Sequence, residues 1–217
     1  MSMLSTVQVS CPSCGRQFEA NQWQSLNADL NPDEKIQLLN RTLFKITCPD
    51  CGEGFNLVYP ILYHDMKNKV MIQLVLDEEN VEEFIHSLES MKNMEEWDSA
   101  VADGYAYRCV TNQIELWEKA MIFDCGLDDR AIEFLKLLYF VSINEQKLDL
   151  VVSDILFCHD TIHKLIIFTE GKPVFDIELD MKKYNDIVER MQIEFEDKSK
   201  DCLFINLEWA LSVLQVE

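Results

Sequence analysis

Four cysteines in two matching pairs are the residues whose types and spacing point most clearly to chemistry. The first pair lies in Cys11-Pro12-Ser13-Cys14-Gly15 and the second in Cys48-Pro49-Asp50-Cys51-Gly52, so both fit Cys-Pro-x-Cys-Gly. A two-residue spacer lets both sulfurs of one turn reach one ion, and structural zinc takes four thiolates in a tetrahedron. The proline fixes one backbone angle, and the glycine permits a left-handed conformation that directs backbone N–H groups towards the sulfurs. The pattern predicts one structural zinc ion held by Cys11, Cys14, Cys48 and Cys51.

Three other uses of these four thiols compete with structural zinc. A thioredoxin-like redox pair usually occurs once, near a βαβ pattern, whereas an iron–sulfur cluster uses the same four thiolates. A catalytic zinc needs an open coordination position, and four cysteines leave none. The duplication favours structural zinc, and the sequence leaves open whether the cell supplies zinc or iron. The 33 residues between the pairs exceed the roughly 15–20 common in such sites, which predicts an insertion between them.

The other cysteines and the histidines give weaker signals. Four isolated cysteines are mostly flanked by apolar residues, which is typical of small buried side chains without disulfides: Cys109, Cys125, Cys158 and Cys202. The histidines of Cys158-His159-Asp160-Thr161-Ile162-His163 are four residues apart, but the glutamate of a metalloprotease motif is missing. A solvated hairpin loop is therefore favoured there over a metal site. A hairpin loop is also predicted for His64 and Asp65, and a helix surface for His86.

One acidic group is a candidate for binding a divalent cation. It consists of Asp128, Asp129 and Glu133, at the start of a predicted helix. Acids in a first helical turn favour the helix dipole, and Glu133 can pair with Lys136 or Arg130. An ordinary helix start is favoured, so no catalytic residue and no cofactor besides zinc is predicted.

The net charge of −20 is unevenly spread along the 217 residues. Residues 1–75 hold six Lys/Arg and seven Asp/Glu, whereas residues 76–217 hold 13 and 32. Such a chain repels phosphate backbones, so nucleic acid is disfavoured, and the expected partner is another protein, for which the acidic portion favours a basic one. The first nine residues lack the pattern of a signal peptide, and no apolar run reaches membrane-spanning length. These features predict a cytoplasmic protein without membrane contact; its oligomeric state stays open.

Apolar periodicity and turn residues predict an α+β fold. The first domain, residues 1–76, is expected to be a zinc ribbon with a helical insertion over Asn31–Thr42, where Asn31 caps the helix and Pro32 begins it. The second, residues 77–217, is expected to be an acidic region of helices and a small antiparallel sheet. Its elements include a helix over Asp77–Met94, a three-stranded meander from Leu148 to Glu178 whose last strand is Lys172–Glu178, and a short helix over Leu207–Leu214.

The doubled motif resembles the CpXC family of prokaryotic proteins. The resemblance is best over about residues 5–76, and the stretch from Asn112 to Lys136 is similar to the region that often follows in such proteins. No cysteine of the motif is missing. The resemblance implies a metal-binding domain and supplies no established activity.

Three functions follow as hypotheses. The first is a non-enzymatic protein-interaction module stabilised by one structural zinc. The second is an enzyme whose site lies in the C-terminal region and uses Asp128, Asp129 and Glu133. The third is nucleic-acid binding through four basic residues of the near-neutral first region: Arg16, Lys35, Arg41 and Lys45.

Overall fold

A computed structural model describes residues 2–77, 81–86, 90, 104–145, 151–199 and 202–214. The chain divides into two compact units, Met1–Trp117 and Glu118–Glu217. The domain boundary near residue 76 concerns independent folding and stays a prediction.

A five-stranded sheet is the centre of the first unit. Its strands lie in the order β1-β2-β5-β6-β7: β1 Met3–Ser10, β2 Gln17–Asn27, β5 Ile61–Asp65, β6 Val70–Leu74 and β7 Ala106–Val110. The pairs β1–β2 and β5–β6 are antiparallel, whereas β2–β5 and β6–β7 are parallel. Every second residue of β5 and β6 is buried, as expected for strands with one face on a core.

The helix and the second hairpin of this unit lie within the insertion and around the second cysteine pair. Helix α1 spans Pro32–Leu39, and a two-stranded sheet pairs β3, Lys45–Thr47, with β4, Gly54–Asn56. The helix and Pro32 at its start confirm the predicted insertion. Asn31 is the N-cap residue, as predicted, but its side chain makes no capping hydrogen bond, and its Oδ1 accepts a hydrogen bond from Ser2 instead.

The centre of the second unit is one helix, Asp129–Glu145, whose first half is mostly buried. Helix α2, Gln113–Asp124, contains the boundary between the units, and α3 follows at Asp129–Glu145. Residues 131–137 of α3 are all buried, since α3 packs against α4 (Met181–Ser199), α5 (Leu207–Leu214) and β8 (Asp154–His159). Phe195 contacts the other two helices, and its ring centroid is 5.9 Å from that of Phe134 and 5.5 Å from that of Trp209.

The sheet of this unit is antiparallel and has three strands: β8 Asp154–His159, β9 His163–Thr169 and β10 Lys172–Glu178.

The mixture of helices and sheets confirms the α+β class. The predicted sheet content was too small, because the largest sheet has five strands and includes parallel pairs. The predicted meander is present as β8–β10, although residues 148–150 lie outside the described part. Of the helix predicted over Asp77–Met94, residues 81–86 are helical, while residues 78–80, 87–89 and 91–94 lie outside the described residues. Among the helices that the structure describes, none is both long and apolar enough to cross a membrane.

Candidate metal centre

The four motif cysteines come together in the first unit. Their Sγ atoms all lie within 4.8 Å of one another. Cys11 Sγ is 3.7 Å from Cys51 Sγ, and Cys14 Sγ is 3.7 Å from Cys48 Sγ. Each Cys-Pro-x-Cys turn, called a knuckle below, contributes one buried cysteine, Cys11 or Cys48, and one exposed cysteine, Cys14 or Cys51.

Each cysteine pair forms the turn of an antiparallel hairpin, and the two turns have the same backbone conformation. The first turn connects β1 to β2, and the second connects β3 to β4. In the first, Cys11 N donates to Arg16 O over 2.8 Å and Gly15 N donates to Cys11 O over 3.0 Å. In the second, Cys48 N donates to Glu53 O and Gly52 N donates to Cys48 O over the same two distances.

The glycines make these turns possible. Gly15 and Gly52 both have φ of 74°, a region that side chains other than glycine adopt at a cost. An exposed ion pair between Arg16 Nε and Asp50 Oδ2, 3.5 Å apart, also joins the two turns. Such surface pairs contribute little, so the geometry of the thiols depends mainly on the hairpins.

The four thiols lie so close together that they influence one another's pKa values and do not all become thiolates at once. A hydrogen bond from the Cys14 backbone N–H lowers the pKa of Cys11 to about 7. The backbone N–H of Glu53 likewise favours the Cys51 thiolate, but loss of solvation and the neighbouring thiols outweigh it and raise the pKa of Cys51 to about 12. Four thiolates this close need a cation, since like charges within one site disfavour each other.

The thiol spacing fits a tetrahedral metal ion. A Zn–S bond of about 2.3 Å places two ligand sulfurs of a regular tetrahedron about 3.8 Å apart. The two measured separations are 3.7 Å, so the site could hold an ion of this size with little rearrangement. This group was predicted from the sequence, and the structure brings all four thiols together.

The acidic group predicted as a cation-binding alternative is divided between two ion-pair arrangements. Asp128 caps α3 by accepting from Arg130 N over 2.9 Å, and its carboxylate pairs with the Arg130 guanidinium at 2.7 Å. Asp129 and Glu133 are buried, and Lys119 Nζ lies 3.1 Å from Asp129 Oδ2 and 2.9 Å from Glu133 Oε1.

A second lysine completes this buried charge cluster. Lys136 Nζ is 3.2 Å from Glu133 and 2.6 Å from Glu118, and all three side chains are at most 6% exposed. The Glu133–Lys136 pair confirms one predicted contact, whereas Arg130 pairs with Asp128 instead of Glu133. The cluster of Glu118, Lys119, Asp129, Glu133 and Lys136 therefore resembles a core ion-pair network more than a cation site.

The hairpin loop predicted for His64 and Asp65 is wrong, because both residues are in a strand. Both belong to β5, and the turn is limited to residues 66–69. Asp65 is 1% exposed and accepts from Lys35 Nζ over 2.8 Å and from Asn68 N over 3.0 Å. Burial alone would raise the pKa of Asp65, but these donors and the Lys35 charge lower it below its usual value.

One further group of metal-ligand side chains was missed in the sequence. Cys125 follows α2 and lies beside His159 and His163 of the β8–β9 hairpin, with ligand atoms within 4.8 Å of one another. The hairpin itself was predicted, but its histidines are half-buried strand residues and only residues 160–162 form the turn. The sequence signal was the pair of histidines alone, since Cys125 lies 34 residues before His159.

Comparison with known proteins adds one finding to this geometry. A family model described as CpXC protein matches residues 9–136, which is more than half of the chain and includes all four motif cysteines. No curated protein and no solved structure matches the chain. With both Cys-Pro-x-Cys knuckles in place and the match continuing to Lys136, the chain belongs to the CpXC family.

Proposed function

We propose that Cys11, Cys14, Cys48 and Cys51 bind one structural zinc ion, and that this zinc ribbon with a helical insertion is part of a non-enzymatic protein-interaction module. The observation that carries the proposal is the pair of 3.7 Å sulfur separations, which match the edge of a zinc–thiolate tetrahedron. Four protein ligands fill the coordination shell, so the ion stabilises structure and has no open position for a substrate.

The surface beside the second knuckle supports the interaction role. An open groove of about 520 Å³ lies between β2, α1 and β3 in the first unit. Its lining combines apolar side chains, including Phe18, Trp23 and Ile46, with two acids, Glu19 and Glu34, and one base, Lys45. Apolar contact area with a few charged groups is typical of peptide-binding surfaces. The two glutamates outnumber the single lysine, which favours a segment that carries Lys or Arg beside apolar residues.

Metal analysis of the full chain tests the zinc part. Cys48→Ser should lower the zinc content by about one ion per chain and expose the first unit to protease, because structural zinc supplies on the order of 10 kcal/mol of binding free energy to a folded site. Cys109→Ala is the matched control, since Cys109 is also buried in the first unit but lies outside the cluster. Protein that remains protease-resistant after zinc removal would contradict the structural role.

Charge reversal in the groove tests the partner. Purified full chain should capture a stoichiometric protein from native lysate, and the complex should weaken as salt rises. Glu19→Arg should abolish capture, whereas Glu178→Arg, an exposed change on β10, should not. Equal capture by both variants would exclude the groove, and repeated failure of folded wild-type protein to capture any partner would oppose the module.

The residues proposed for nucleic-acid binding are mostly engaged within the protein. Lys35 pairs with Asp65, Arg16 pairs with Asp50, and the Arg41 guanidinium carbon lies 3.6 Å from the Trp117 ring centroid. The Lys35 charge is compensated within the fold, and the net charge of −20 repels a phosphate backbone. A mobility-shift assay at low salt should therefore show no binding, and a clear shift would favour the nucleic-acid alternative.

A further inference from the structure

The end of α2 and the end of the β8–β9 hairpin meet at Cys125, His159 and His163. Each of the three residues offers one ligand atom, and these atoms lie within 4.8 Å of one another. All three side chains are partly buried. None of them belongs to the four-cysteine site or to the buried charge cluster described above.

Backbone hydrogen bonds fix the position of Cys125. Cys125 N donates to Met121 O over 3.0 Å, and Leu127 N donates to Ile122 O over 3.1 Å. Between them Gly126 has φ of 69°, the left-handed conformation that commonly ends a helix. The thiol therefore lies at a helix end whose backbone is hydrogen-bonded on both sides of Gly126.

The two histidines are placed by the register of the hairpin. His159 and His163 are paired across β8 and β9, and their ring centroids are 4.5 Å apart. The intervening turn is held by Asp160, which accepts from Ile162 N over 3.3 Å and pairs with Lys164 Nζ at 2.8 Å. Both imidazoles are thus held side by side before any ligand arrives.

Each ring also has a buried nitrogen without a hydrogen-bond partner. In the described part of the chain, His159 Nδ1 and His163 Nδ1 are two of three buried side-chain nitrogen or oxygen atoms without such a partner. An unsatisfied buried polar atom costs about 1–3 kcal/mol. Stacking of the two rings explains their contact but leaves these atoms unsatisfied, whereas coordination through Nδ1 would satisfy them.

We propose that Cys125, His159 and His163 form a second metal site, which binds a borderline-soft divalent cation such as Zn²⁺. The ligands would be the Cys125 thiolate and one ring nitrogen of each histidine, a set that suits zinc. Tetrahedral bond lengths require ligand atoms about 3.3–3.6 Å apart, so side-chain rotations bring the present group into range. Three protein ligands leave one position for water or a small external ligand, unlike the four-cysteine site.

Zinc counting on the full chain tests this site. Zinc-saturated wild-type protein, after removal of loose metal by gel filtration, should hold two ions per chain. Cys125→Ser, His159→Phe and His163→Phe should each hold one, and the two phenylalanine variants keep a flat ring at the hairpin. Cys202→Ser is the control and should keep two, because its partly buried thiol in the same unit is outside the group. Far-UV circular dichroism checks that each variant is folded.

Two outcomes would overturn the proposal: the same zinc count in the wild type and in the folded histidine variants, or loss of an ion in Cys202→Ser as well. The count does not depend on the four-cysteine site, because every variant keeps those cysteines. If zinc were absent from that site, the wild type would still hold one ion more than His163→Phe.

Cobalt provides a separate readout of the open position. Co²⁺-loaded wild-type protein should change its visible absorption when azide is added, because azide takes the fourth position. The same addition should leave Co²⁺-loaded His163→Phe unchanged, since its remaining four-thiolate site is closed. An azide response that survives in His163→Phe, or no response in the wild type, would contradict a three-ligand site.

Discussion

Asp65 shows how one buried carboxylate stabilises several elements of the first unit. Its oxygens accept hydrogen bonds from Lys35 of α1, from Tyr63 of β5 and from Asn68 in the turn before β6. A carboxylate with this many donors is more stable ionised than protonated, which is why its pKa lies below the usual value.

We expect Asp65→Asn to lower the free energy of unfolding by about 3 kcal/mol at pH 7, since a nearly buried lysine loses its counter-ion. The lowered pKa of Asp65 means that its contribution is complete above the unfolded pKa of about 4 and is lost as pH falls through the folded pKa. Urea unfolding of both proteins between pH 7 and pH 3 measures this, and the difference should shrink in acid. Asp33→Asn, an exposed acid of α1, should change stability by less than about 0.5 kcal/mol.

Lys136 is a buried charged residue of the second unit, as Asp65 is of the first. Lys136→Met should lower the free energy of unfolding by about 3–5 kcal/mol, because Glu118 and Glu133 would remain buried with one lysine fewer. Lys183→Met is the control: its ion pair with Asp180 is 3.7 Å long and exposed, so little change is expected. Denaturant unfolding compares the two variants, and similar losses would show that the cluster does not stabilise this core.

The residues of the metal sites differ in how well the sequence indicates them. Cys11, Cys14, Cys48 and Cys51 were predictable because a repeated local motif carries the whole ligand set. The contact of Cys125 with His159 and His163 depends on the packing of a helix end against a hairpin, which local spacing does not encode. Asp129 and Glu133 were placed correctly at a helix start, but their burial with Lys119 depends on tertiary structure.

At the scale of elements, the local sequence pattern predicted well which segments are helices or strands, but poorly which strands pair with each other. The helix predicted over Leu207–Leu214 and the strand predicted over Lys172–Glu178 begin and end in the structure at the same residues. Their bounds were predictable because apolar periodicity and turns are local signals. The parallel pairs β2–β5 and β6–β7 were not predicted. They join segments far apart in the chain, and their formation depends on burial of a shared sheet face.

The end of α2 gives a test at this scale. Gly126→Ala should lower the free energy of unfolding by about 1 kcal/mol, because alanine is disfavoured at φ of 69° although no atom lies within 4 Å of the added Cβ. Gly54→Ala in β4 is the matched control, since its φ is not positive and its nearest atom, Ile46 O, is 3.9 Å away. Chemical unfolding measures both. Equal losses would mean that the left-handed conformation is not what the glycine supplies.

At the scale of the whole molecule, the charge of −20 sets the response to salt. The folded chain holds its carboxylates closer together than the unfolded chain does, so their repulsion opposes folding. Raising sodium chloride from about 0.01 M to about 0.15 M shortens the screening length from about 30 Å to about 8 Å.

We therefore expect the apparent Tm in calorimetry to rise over this range, with potassium chloride giving the same increase. A difference between the two salts would indicate specific ion binding instead of screening. A fall in Tm would show that favourable surface ion pairs, such as Lys164 with Asp160 and Asp176, outweigh the repulsion.

The unequal exposure of the motif cysteines has a kinetic consequence. Cys11 and Cys48 are buried, whereas Cys14 and Cys51 face solvent. A competing chelator or an oxidant could reach a metal–sulfur bond at Cys14 or Cys51 without unfolding of either hairpin. Metal exchange would then be associative, and its rate would rise with the concentration of the attacking molecule. A bound zinc ion could thus be held very tightly at equilibrium and still be released quickly to an acceptor.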